Sequence, residues 1–468
     1  MRHQVTKDGQ GANIYWKEYQ WGIDYRLYNI IDHTYKDRDV AFDYDDKGYL
    51  VRAIYAKKEE QFRTPDKLGN LYETKDKKDR KYKNSQLQED RTYYYHYDVE
   101  GNLIFKEHIK DVGFRPFFSG SELRDLGINP KSTGKGFLYT WNANGSLRSV
   151  TDLKGVTYRF RYDAFGRRLE KRRMASTFRF VWDGNVLLHE TFKKDNSENT
   201  ELTTWVFEGF VPTAKLVNGK AYSIISDHLG TPILAIDSEG NEVWNRQLDI
   251  YGRVKREIKA SSLGDDVRLF IPFLYQGQYY DFETKLAYNR FRYYSPETGA
   301  YISQDPIGLM GGDNLYSYVH DVNMWLDVFG LAGFVSPLDN ISGIYILKNK
   351  ETMTAYVGSG IDIKARTSQE GHKKAQKYIE EYHKKNPNII IEYVEVNLGN
   401  AKRTKKGRKS RTQDHILRHY EQIQMDRVSG EGYDISDNER RAEAPNKKAR
   451  NEDDIRKNEA SSGCLQKL

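Results

Sequence analysis

The sequence is poor in the features that build disulfide frameworks, thiolate metal sites and membrane spans. It has one cysteine, Cys464, which excludes a disulfide framework and a cysteine-rich zinc site. No apolar run reaches about eighteen residues, so no membrane-spanning helix is expected. Residues 1–20 contain no apolar stretch of the kind that secretory signals require, so no signal peptide is expected in this chain.

The abundant residues point to β-structure. The 468 residues include 35 Tyr, 20 Phe and 37 Gly, but only 11 Pro. Aromatic residues favour strands, and glycine favours the tight turns between them. A chain of this length is too long for one compact core and fits two or three domains.

The positive charge is concentrated towards the C-terminus. Residues 332–468 hold 26 basic and 20 acidic residues, whereas residues 1–331 hold 48 and 47. A basic module attached to a nearly neutral, β-rich region suggests a polyanionic partner. An ordinary solvated surface would explain the same excess of charge.

A loose repeat runs through the first 331 residues. Each unit combines an aromatic strand end, an Asp or Asn that favours a turn, and a glycine that accepts positive φ. The last two units start 21 residues apart, which predicts a stacked array of hairpins with that period. Residues 1–130, with the charged run 75–83, are expected to be eroded or rich in loops. The units are YDDKGYL (44–50), YDVEGNL (97–103), WNANGSL (141–147) and YDAFGRRL (162–169).

These units resemble YD repeats, and residues 200–331 resemble the core region of Rhs (rearrangement hotspot) proteins. The resemblance is carried by SDHLGTPILAIDSEGNEVW (226–244), YNRFRYYSPETGAYISQDPIGL (288–309) and GGDNLYSYVHDVNMWLDVFGLA (311–332). It implies a hollow β-shell that encloses a C-terminal toxin. About 330 residues precede the toxin region, far fewer than in a full Rhs shell, so we expect a truncated cassette or one piece of a longer product.

Two short motifs, DPIG at 305–308 and DVFG at 327–330, are separated by 18 residues. In Rhs proteins and related toxin-complex C components, such a pair marks an aspartyl autoprotease that cuts after the leucine following the second motif. Two close carboxylates can share a proton, so that one acts as an acid while the other activates water. The resemblance implies Asp305 and Asp327 as the paired carboxylates, Arg292 as a residue that orients a carboxylate or stabilises an oxyanion, and Leu331–Ala332 as the scissile bond.

The sequence departs from the family pattern at two positions. Val328 stands where proline is usual in the second motif, and Ala300 stands where arginine is frequent. Valine does not fix the turn as proline would, which predicts less efficient cleavage. In the alternative interpretation, the two aspartates only cap turns of the β-shell.

A different pattern begins after Leu331. IYIL (344–347) and AYVG (355–358) predict a hairpin, and IIIEYVEV (389–396) predicts a third strand. KKAQKYIEEYHKK (373–385) and RTQDHILRHYEQIQMDRV (411–428) carry apolar residues at helical spacing. The predicted element order is therefore β-β-α-β-α.

This order, with GIY at 343–345 and YVG at 356–358, resembles the GIY-YIG nuclease domain. The resemblance implies Mg²⁺-dependent hydrolysis of phosphodiester bonds. In the alternative interpretation these residues have no catalytic role: the tyrosines are ordinary aromatic residues of the sheet, and the charged residues are exposed to solvent. The implied site consists of Tyr345 as general base or base relay, Tyr356 positioning water and phosphate, Arg366 neutralising the phosphate, His372 as proton shuttle, Glu421 as the Mg²⁺ ligand, and Asn446 (or Asn438) as a late asparagine.

The segment KRTKKGRKSR (402–411) holds seven basic residues in ten and no acidic residue. Such a run can contact several phosphates of a nucleic acid. In the alternative interpretation it is a solvated loop, as runs of like charge usually are. Next to a phosphodiesterase site we expect phosphate contact. The expected nucleic-acid-binding residues are Lys402, Arg403, Lys405, Lys406, Arg408, Lys409 and Arg411.

The sequence thus predicts a mainly β YD-repeat shell, a partial Rhs cage, followed by a small α/β domain. The expected boundaries are 1–199 for a degenerate YD-repeat region, 200–331 for the Rhs core with its autoproteolysis site, 332–342 for a linker, 343–435 for the nuclease-like domain and 436–468 for a charged, flexible tail.

The leading functional hypothesis is an antibacterial Rhs toxin that releases a nuclease after self-cleavage. Its expected partners are DNA or RNA, a cognate immunity protein and a secretion-system carrier, and it would be made in the cytoplasm, exported and act in the target-cell cytoplasm. The alternative is a non-enzymatic YD-repeat surface or binding protein with a degenerate nucleic-acid-binding tail. A deaminase is a weaker third possibility, because no HxE with PCxxC is present.

Overall fold

The computed structural model describes residues 2–7, 13–22, 26–113, 118–261, 270–331, 343–349, 351–360 and 389–395, together with Met425 and Ser429. The chain divides into two compact units. A large unit contains Gln4–Gln20 and Leu27–Val335, and a small unit contains Met1–His3, Trp21–Arg26 and Ser336–Leu468.

The large unit is built on a sixteen-stranded antiparallel sheet, counted over the described residues, in which every strand pairs with its neighbour in sequence. This continuous meander confirms the predicted array of hairpins. The strands are Lys81–Lys83, Gln86–Glu89, Tyr93–Tyr97, Leu103–His108, Gly136–Trp141, Leu147–Thr151, Thr157–Tyr162, Arg168–Arg173, Ser176–Asp183, Val186–Lys194, Thr200–Glu208, Val211–Val217, Lys220–Ser226, Pro232–Ile236, Glu242–Leu248 and Val254–Lys259.

One kind of turn connects many of these strands. At Asp163, the side-chain Oδ1 accepts hydrogen bonds from the N–H groups of Phe165 and Arg167, both at 2.9 Å. The N–H of Gly166 donates to the Asp163 carbonyl, and Gly166 has a φ of 77°. The aspartate therefore replaces the backbone partners that the turn lacks. The same glycine-to-Asx bond closes the turns at Asp45, Asp66, Asp98, Asn142, Asp152, Asp163, Asp227, Asp237 and Asp249.

The repeat is shorter than the sequence predicts. The turns at Asn142 and Asp163 enclose a further turn of the same type at Asp152, so one turn follows the last after ten or eleven residues. The middle turn, DLKG (152–155), follows a threonine and lacks the aromatic residue by which the other units are recognised. The predicted period therefore spans two hairpins.

The N-terminal region is more regular than expected. Residues 1–130 were expected to be eroded or loop-rich, but its described part forms a six-stranded sheet and the first four strands of the meander. These strands are short and of mixed polarity, and two of the four repeat units, at 44–50 and 97–103, lie among them. The six strands are Arg2–Lys7, Asn13–Trp21, Leu27–Asp32, Val40–Tyr44, Leu50–Tyr55 and Glu59–Phe62, and Thr64–Pro65 pairs with Leu71–Tyr72 in a small separate sheet.

A four-stranded antiparallel sheet lies in residues 270–331, here called the 270–331 segment. Tyr279 and Tyr293 of this segment belong to the same hydrophobic cluster as Phe160 and Trp205 of the meander. The segment is thus packed on the large sheet. Its strands are Tyr279–Asp281, Leu286–Asn289, Arg292–Ser295 and Ala300–Tyr301, and a 3₁₀ turn follows at Gly308–Gly311. Elsewhere, the described residues contain a short helix at Gly120–Asp125 and a 3₁₀ turn at Ala56–Lys58.

Several turns at one edge of the meander contact the 270–331 segment. Tyr316 donates its hydroxyl hydrogen to the carbonyl of Gly101 at 2.8 Å, and Tyr288 donates to that of Gly166 at 2.7 Å. Nothing lies within 4 Å of a Cβ placed on Gly145, although its turn lies at the same edge as those of Gly101 and Gly166. The segment therefore contacts some, but not all, of the turns at this edge.

Buried cations of the meander hold the 270–331 segment. The Nζ of Lys171 lies 2.9 Å from the Oδ1 of Asp281, and Arg168 contacts the same carboxylate. Burial raises the pKa of Asp281, but the two cations outweigh it and keep that pKa below its ordinary value. Further bonds to segment carbonyls come from Arg63 to Val319, Arg80 to Thr298, Lys215 to Phe270 and Arg246 to Ile271.

The sheet continues across the expected boundary between residues 199 and 200. Val186–Lys194 and Thr200–Glu208 are adjacent antiparallel strands, with Lys193 paired to Thr200. The two expected regions therefore share one sheet.

In the small unit, the described strands form a three-stranded antiparallel sheet. Gly343–Asn349 is central, with Thr354–Gly360 on one side and Ile389–Glu395 on the other. The three predicted strands are confirmed. The predicted helix 373–385 lies outside the described residues, and within 411–428 only Met425 is described, as a buried helical residue. Across the described parts of both units, no helix combines the length and the apolar character that crossing a bilayer demands.

Candidate active site

Arg292 joins two aspartates in the interior of the large unit. Its Nη2 lies 2.9 Å from the Oδ2 of Asp305 and 3.2 Å from the Oδ2 of Asp327. The three side chains are at most 2% exposed. The structure therefore brings together the three residues that the resemblance to Rhs proteins selected.

Asp305 is held by a turn that follows the last strand of the four-stranded sheet. Its Oδ1 accepts a hydrogen bond from the N–H of Ile307 at 3.0 Å, and the N–H of Gly308 donates to its carbonyl at 2.9 Å. Its own N–H donates to the carbonyl of Leu315 at 2.9 Å. The DPIG motif thus fixes one oxygen of the carboxylate and leaves Oδ2 facing Arg292.

Asp327 is held from three sides. Its Oδ1 accepts a hydrogen bond from the N–H of Leu331 at 3.0 Å, within the turn formed by residues 327–331. Its Oδ2 accepts one from the hydroxyl of Tyr301 at 2.8 Å, beside Arg292. Its backbone carbonyl accepts one from the Nδ2 of Asn289 at 2.8 Å. The carboxylate therefore touches the residue that precedes the expected scissile bond.

The 327–331 turn is shaped by close backbone packing. The Nε of Arg292 donates to the carbonyl of Gly330, and the N–H of Phe291 donates to that of Phe329 at 3.2 Å. A Cβ on Gly277 would lie 2.2 Å from the carbonyl oxygen of Val328, so only glycine fits there. These contacts fix the turn in the absence of the usual proline at position 328.

The site buries one cation beside two carboxylates. One guanidinium faces two carboxylates in a site closed to solvent, and full ionisation of both would leave an uncompensated buried negative charge. Two neighbouring carboxylates relieve this when one of them holds a proton. Such a pair can take a proton from water with one member and give a proton with the other.

Sequence reasoning did not select Tyr301 and Asn289. Tyr301 is 3% exposed, and the Cζ of Arg292 lies 3.7 Å from the centre of its ring. Burial raises the pKa of Tyr301 well above its ordinary value, with a further contribution from the charge of Asp327. Among 35 tyrosines no local signal marks this one, since its role depends on strand pairing.

Ala332 of the scissile bond lies outside the described residues, as do most of the expected nuclease residues: Arg366, His372, Glu421, Asn438, Asn446 and all seven basic residues of 402–411. The expected Mg²⁺ ligand is therefore not described. Within the described part of the chain, no group of three His, Cys, Asp or Glu side chains could hold a metal ion.

The two expected tyrosines lie on adjacent strands. Tyr345 pairs with Gly358, and Tyr356, which is 7% exposed, pairs with Leu347. Because residues two apart share a face, positions 345 and 356 are diagonal neighbours on one face of the sheet.

A comparison with family models matches residues 10–310 to the teneurin YD-shell family. The match spans more than half of the chain and most of the large unit. The chain belongs to the teneurin YD-shell family. The mainly β architecture of the YD-shell region, with very little helix among the described residues, agrees with this assignment.

The YD-shell region is similar to parts of bacterial proteins. A probable deoxyribonuclease RhsA of Dickeya dadantii is 32% identical over 254 residues, 53% of this chain and 16% of the relative. A double-stranded DNA deaminase toxin A of Burkholderia cenocepacia is 27% identical over 360 residues, 69% of this chain and 23% of the relative. The chain therefore spans less than a quarter of the length of these relatives.

Among solved structures, the crystal structure of TcdB2-TccC3-Cdc42 aligns with 70% of this chain and 19% of its own, with a TM-score of 0.43 and 20% identity.

The packing of Gly330 gives a test of the 327–331 turn. A Cβ at this residue would lie 2.4 Å from the carbonyl oxygen of Asn289, and Gly330 has a φ of 66°. We expect Gly330→Ala to lower the free energy of unfolding by about 1–3 kcal/mol more than Gly145→Ala, whose Cβ meets open space at a φ of 77°. Equal losses in denaturant titrations of the two variants, made on an Asp305→Asn background, would contradict the described packing.

Proposed function

We propose that this chain is part of an Rhs-type antibacterial toxin, in which the YD-shell region cuts the chain between Leu331 and Ala332 and so releases a C-terminal nuclease. The arrangement of Arg292, Asp305 and Asp327 carries this proposal. At this site one buried guanidinium contacts two buried carboxylates, beside the backbone turn that ends at Leu331.

Self-cleavage is a hydrolysis by the carboxylate pair. The ionised aspartate takes a proton from a water molecule, whose oxygen attacks the carbonyl carbon of Leu331. The protonated aspartate supplies the proton that the nitrogen of Ala332 needs when the peptide bond breaks. The products are a carboxyl terminus at Leu331 and an amino terminus at Ala332, and the pair is left with one proton as before.

Arg292 orients both aspartates and the turn. Its Nη2 contacts both carboxylates and its Nε contacts the carbonyl of Gly330, next to the residue that is cut. A planar guanidinium can make these contacts together, which a lysine cannot. Positive charge beside the scissile segment also stabilises a developing oxyanion.

The toxin assignment is supported by the relatives of the YD-shell region. Relatives are named as a probable deoxyribonuclease, a double-stranded DNA deaminase toxin and, in Pseudomonas aeruginosa, the toxin protein Tse5. Each name belongs to a longer protein. A shared shell that releases different toxins would account for these different names.

The released part acts as a GIY-YIG-like endonuclease. Tyr345 and Tyr356, on one face of the three-stranded sheet, relay a proton from the attacking water and position the phosphate. Arg366 neutralises the phosphate charge, His372 shuttles a proton, Glu421 serves as the metal ligand and Asn446 completes the site. Mg²⁺ bound there would polarise a phosphate oxygen and water.

The basic run 402–411 contacts the phosphates of DNA or RNA. A cognate immunity protein covers this surface in the producing cell, and a secretion-system carrier exports the toxin to the target-cell cytoplasm. Both partners are expected only because the chain is proposed to be a toxin.

Cleavage should depend on both carboxylates. We expect Asp305→Asn and Asp327→Asn each to slow the appearance of fragments by at least about a hundredfold, because an amide can neither activate water nor supply the shared proton. The measurement follows freshly translated full-length chain by gel electrophoresis.

Asp313→Asn is the matched control, because Asp313 is exposed in the same segment. It should cleave at the parental rate. Fragments that form as fast in both site variants as in the control would rule out the aspartate pair.

Nuclease activity should need Mg²⁺ and the nuclease site. We expect the full chain, after self-cleavage, to nick plasmid DNA or degrade RNA with Mg²⁺ but not with EDTA. Arg366→Ala and Glu421→Ala should each lower the rate by at least about a hundredfold, since they remove transition-state charge stabilisation and the metal ligand.

Lys364→Ala and Glu380→Ala remove like charges from the same region and serve as controls. Intact DNA and RNA with the folded parent at low salt would overturn the nuclease proposal and favour the binding-protein alternative. Loss of activity in the controls as well would count against the assigned residues.

A further inference from the structure

The hydroxyl of Tyr301 lies between an amide and a carboxylate. The Nδ2 of Asn289 lies 2.8 Å from the Tyr301 oxygen, and that oxygen lies 2.8 Å from the Oδ2 of Asp327. Tyr301 follows Ala300 at the edge of the four-stranded sheet, and Asn289 ends the second strand of that sheet. The three groups form a continuous buried chain of hydrogen bonds.

The direction of this chain is fixed by a backbone carbonyl. The Nδ2 of Asn289 also contacts the carbonyl oxygen of Asp327 at 2.8 Å. A carbonyl oxygen only accepts, so this atom of Asn289 must be the amino group and must donate. The Tyr301 oxygen therefore accepts from Asn289, and its hydrogen is directed to the Asp327 carboxylate.

The phenol keeps this hydrogen at any ordinary pH. Burial raises the pKa of Tyr301 well above its ordinary value, and the negative charge of Asp327 raises it further. The guanidinium of Arg292, 3.7 Å from the ring centre, acts in the opposite direction. The phenol thus remains a hydrogen-bond donor throughout the range in which carboxylates titrate.

Asp327 is surrounded by groups that respond to its charge. The N–H of Leu331 and the hydroxyl of Tyr301 donate to it, Arg292 pairs with it, and Tyr318 and Asp305 lie nearby. Donors that are fixed in direction favour the charged form of a carboxylate. A proton on Oδ2 would face the phenol hydrogen and break the chain from Asn289.

We propose that Tyr301 is a positioning residue that acts through Asp327 and keeps it the ionised member of the pair, so that the shared proton resides on Asp305. This inference rests on the proposed self-cleavage. It assigns the roles: Asp327 takes the proton from water, and Asp305 supplies the proton to the nitrogen of Ala332.

The test is the pH dependence of self-cleavage. Full-length chain is translated in a cell-free system, pulse-labelled, and transferred to buffers across the acidic and neutral range. We expect Tyr301→Phe to move the acidic limb of the rate profile to higher pH by about one unit and to lower the rate on that limb about tenfold. The limb moves to higher pH because loss of the phenol donor removes a bond that stabilises the ionised form of Asp327. A protonated Asp327 cannot activate water.

Tyr294→Phe is the matched control. Tyr294 pairs with Tyr301 across the sheet and is fully buried, but its hydroxyl donates to the carbonyl of Tyr251. Its removal should leave the profile in place. A second variant places 3-fluorotyrosine at position 301, which strengthens the donor without removing it and should move the acidic limb to lower pH.

The possible outcomes distinguish a failure of the role of Tyr301 from a failure of self-cleavage. A parent chain that never cleaves overturns self-cleavage itself. A parent that cleaves, with the same acidic limb in Tyr301→Phe and in the fluorotyrosine variant, overturns the role of Tyr301 alone. Equal shifts in Tyr301→Phe and Tyr294→Phe would show a structural effect and would also overturn it.

Discussion

One buried guanidinium holds the site together. Arg292 contacts two carboxylates that come from different turns, and it also contacts the backbone of the turn that ends at Leu331. A buried cation without counter-charges is costly, and so are two buried carboxylates without a cation. Each of the three groups therefore depends on the other two, and the geometry of the turn depends on all of them.

The position of Arg292 also depends on the sixteen-stranded sheet. The strand that carries Arg292 belongs to a small four-stranded sheet whose aromatic residues share a hydrophobic core with the meander. Cations of the meander anchor it through Asp281 and through backbone carbonyls, while tyrosine hydroxyls bind the meander turns. The high tyrosine content thus supplies apolar surface and a hydrogen-bond donor in one side chain. The meander acts as the support on which the aspartate pair is positioned.

The sequence allowed the aspartates to be found because the motif is local: Asp305 and Asp327 each open a short turn with a glycine three residues later. It also allowed the strands and the common turn to be predicted, since an Asx residue and a positive-φ glycine mark a turn wherever they occur. Tyr301 and Asn289 could not be found in this way. Their contacts depend on the pairing of strands and on the entry of the 327–331 turn, which no local pattern encodes. The turn at Asp152 was missed because its preceding residue is a threonine instead of an aromatic.

The aspartate pair is expected to cut the chain next to Leu331, the residue whose N–H it binds. The most direct measurement is the intact mass of the fragments that form from the purified full-length chain. We expect two masses, for residues 1–331 and 332–468, so that Ala332 is the new amino terminus. A single uncut chain of 54.7 kDa, or fragments that meet at another bond, would contradict it.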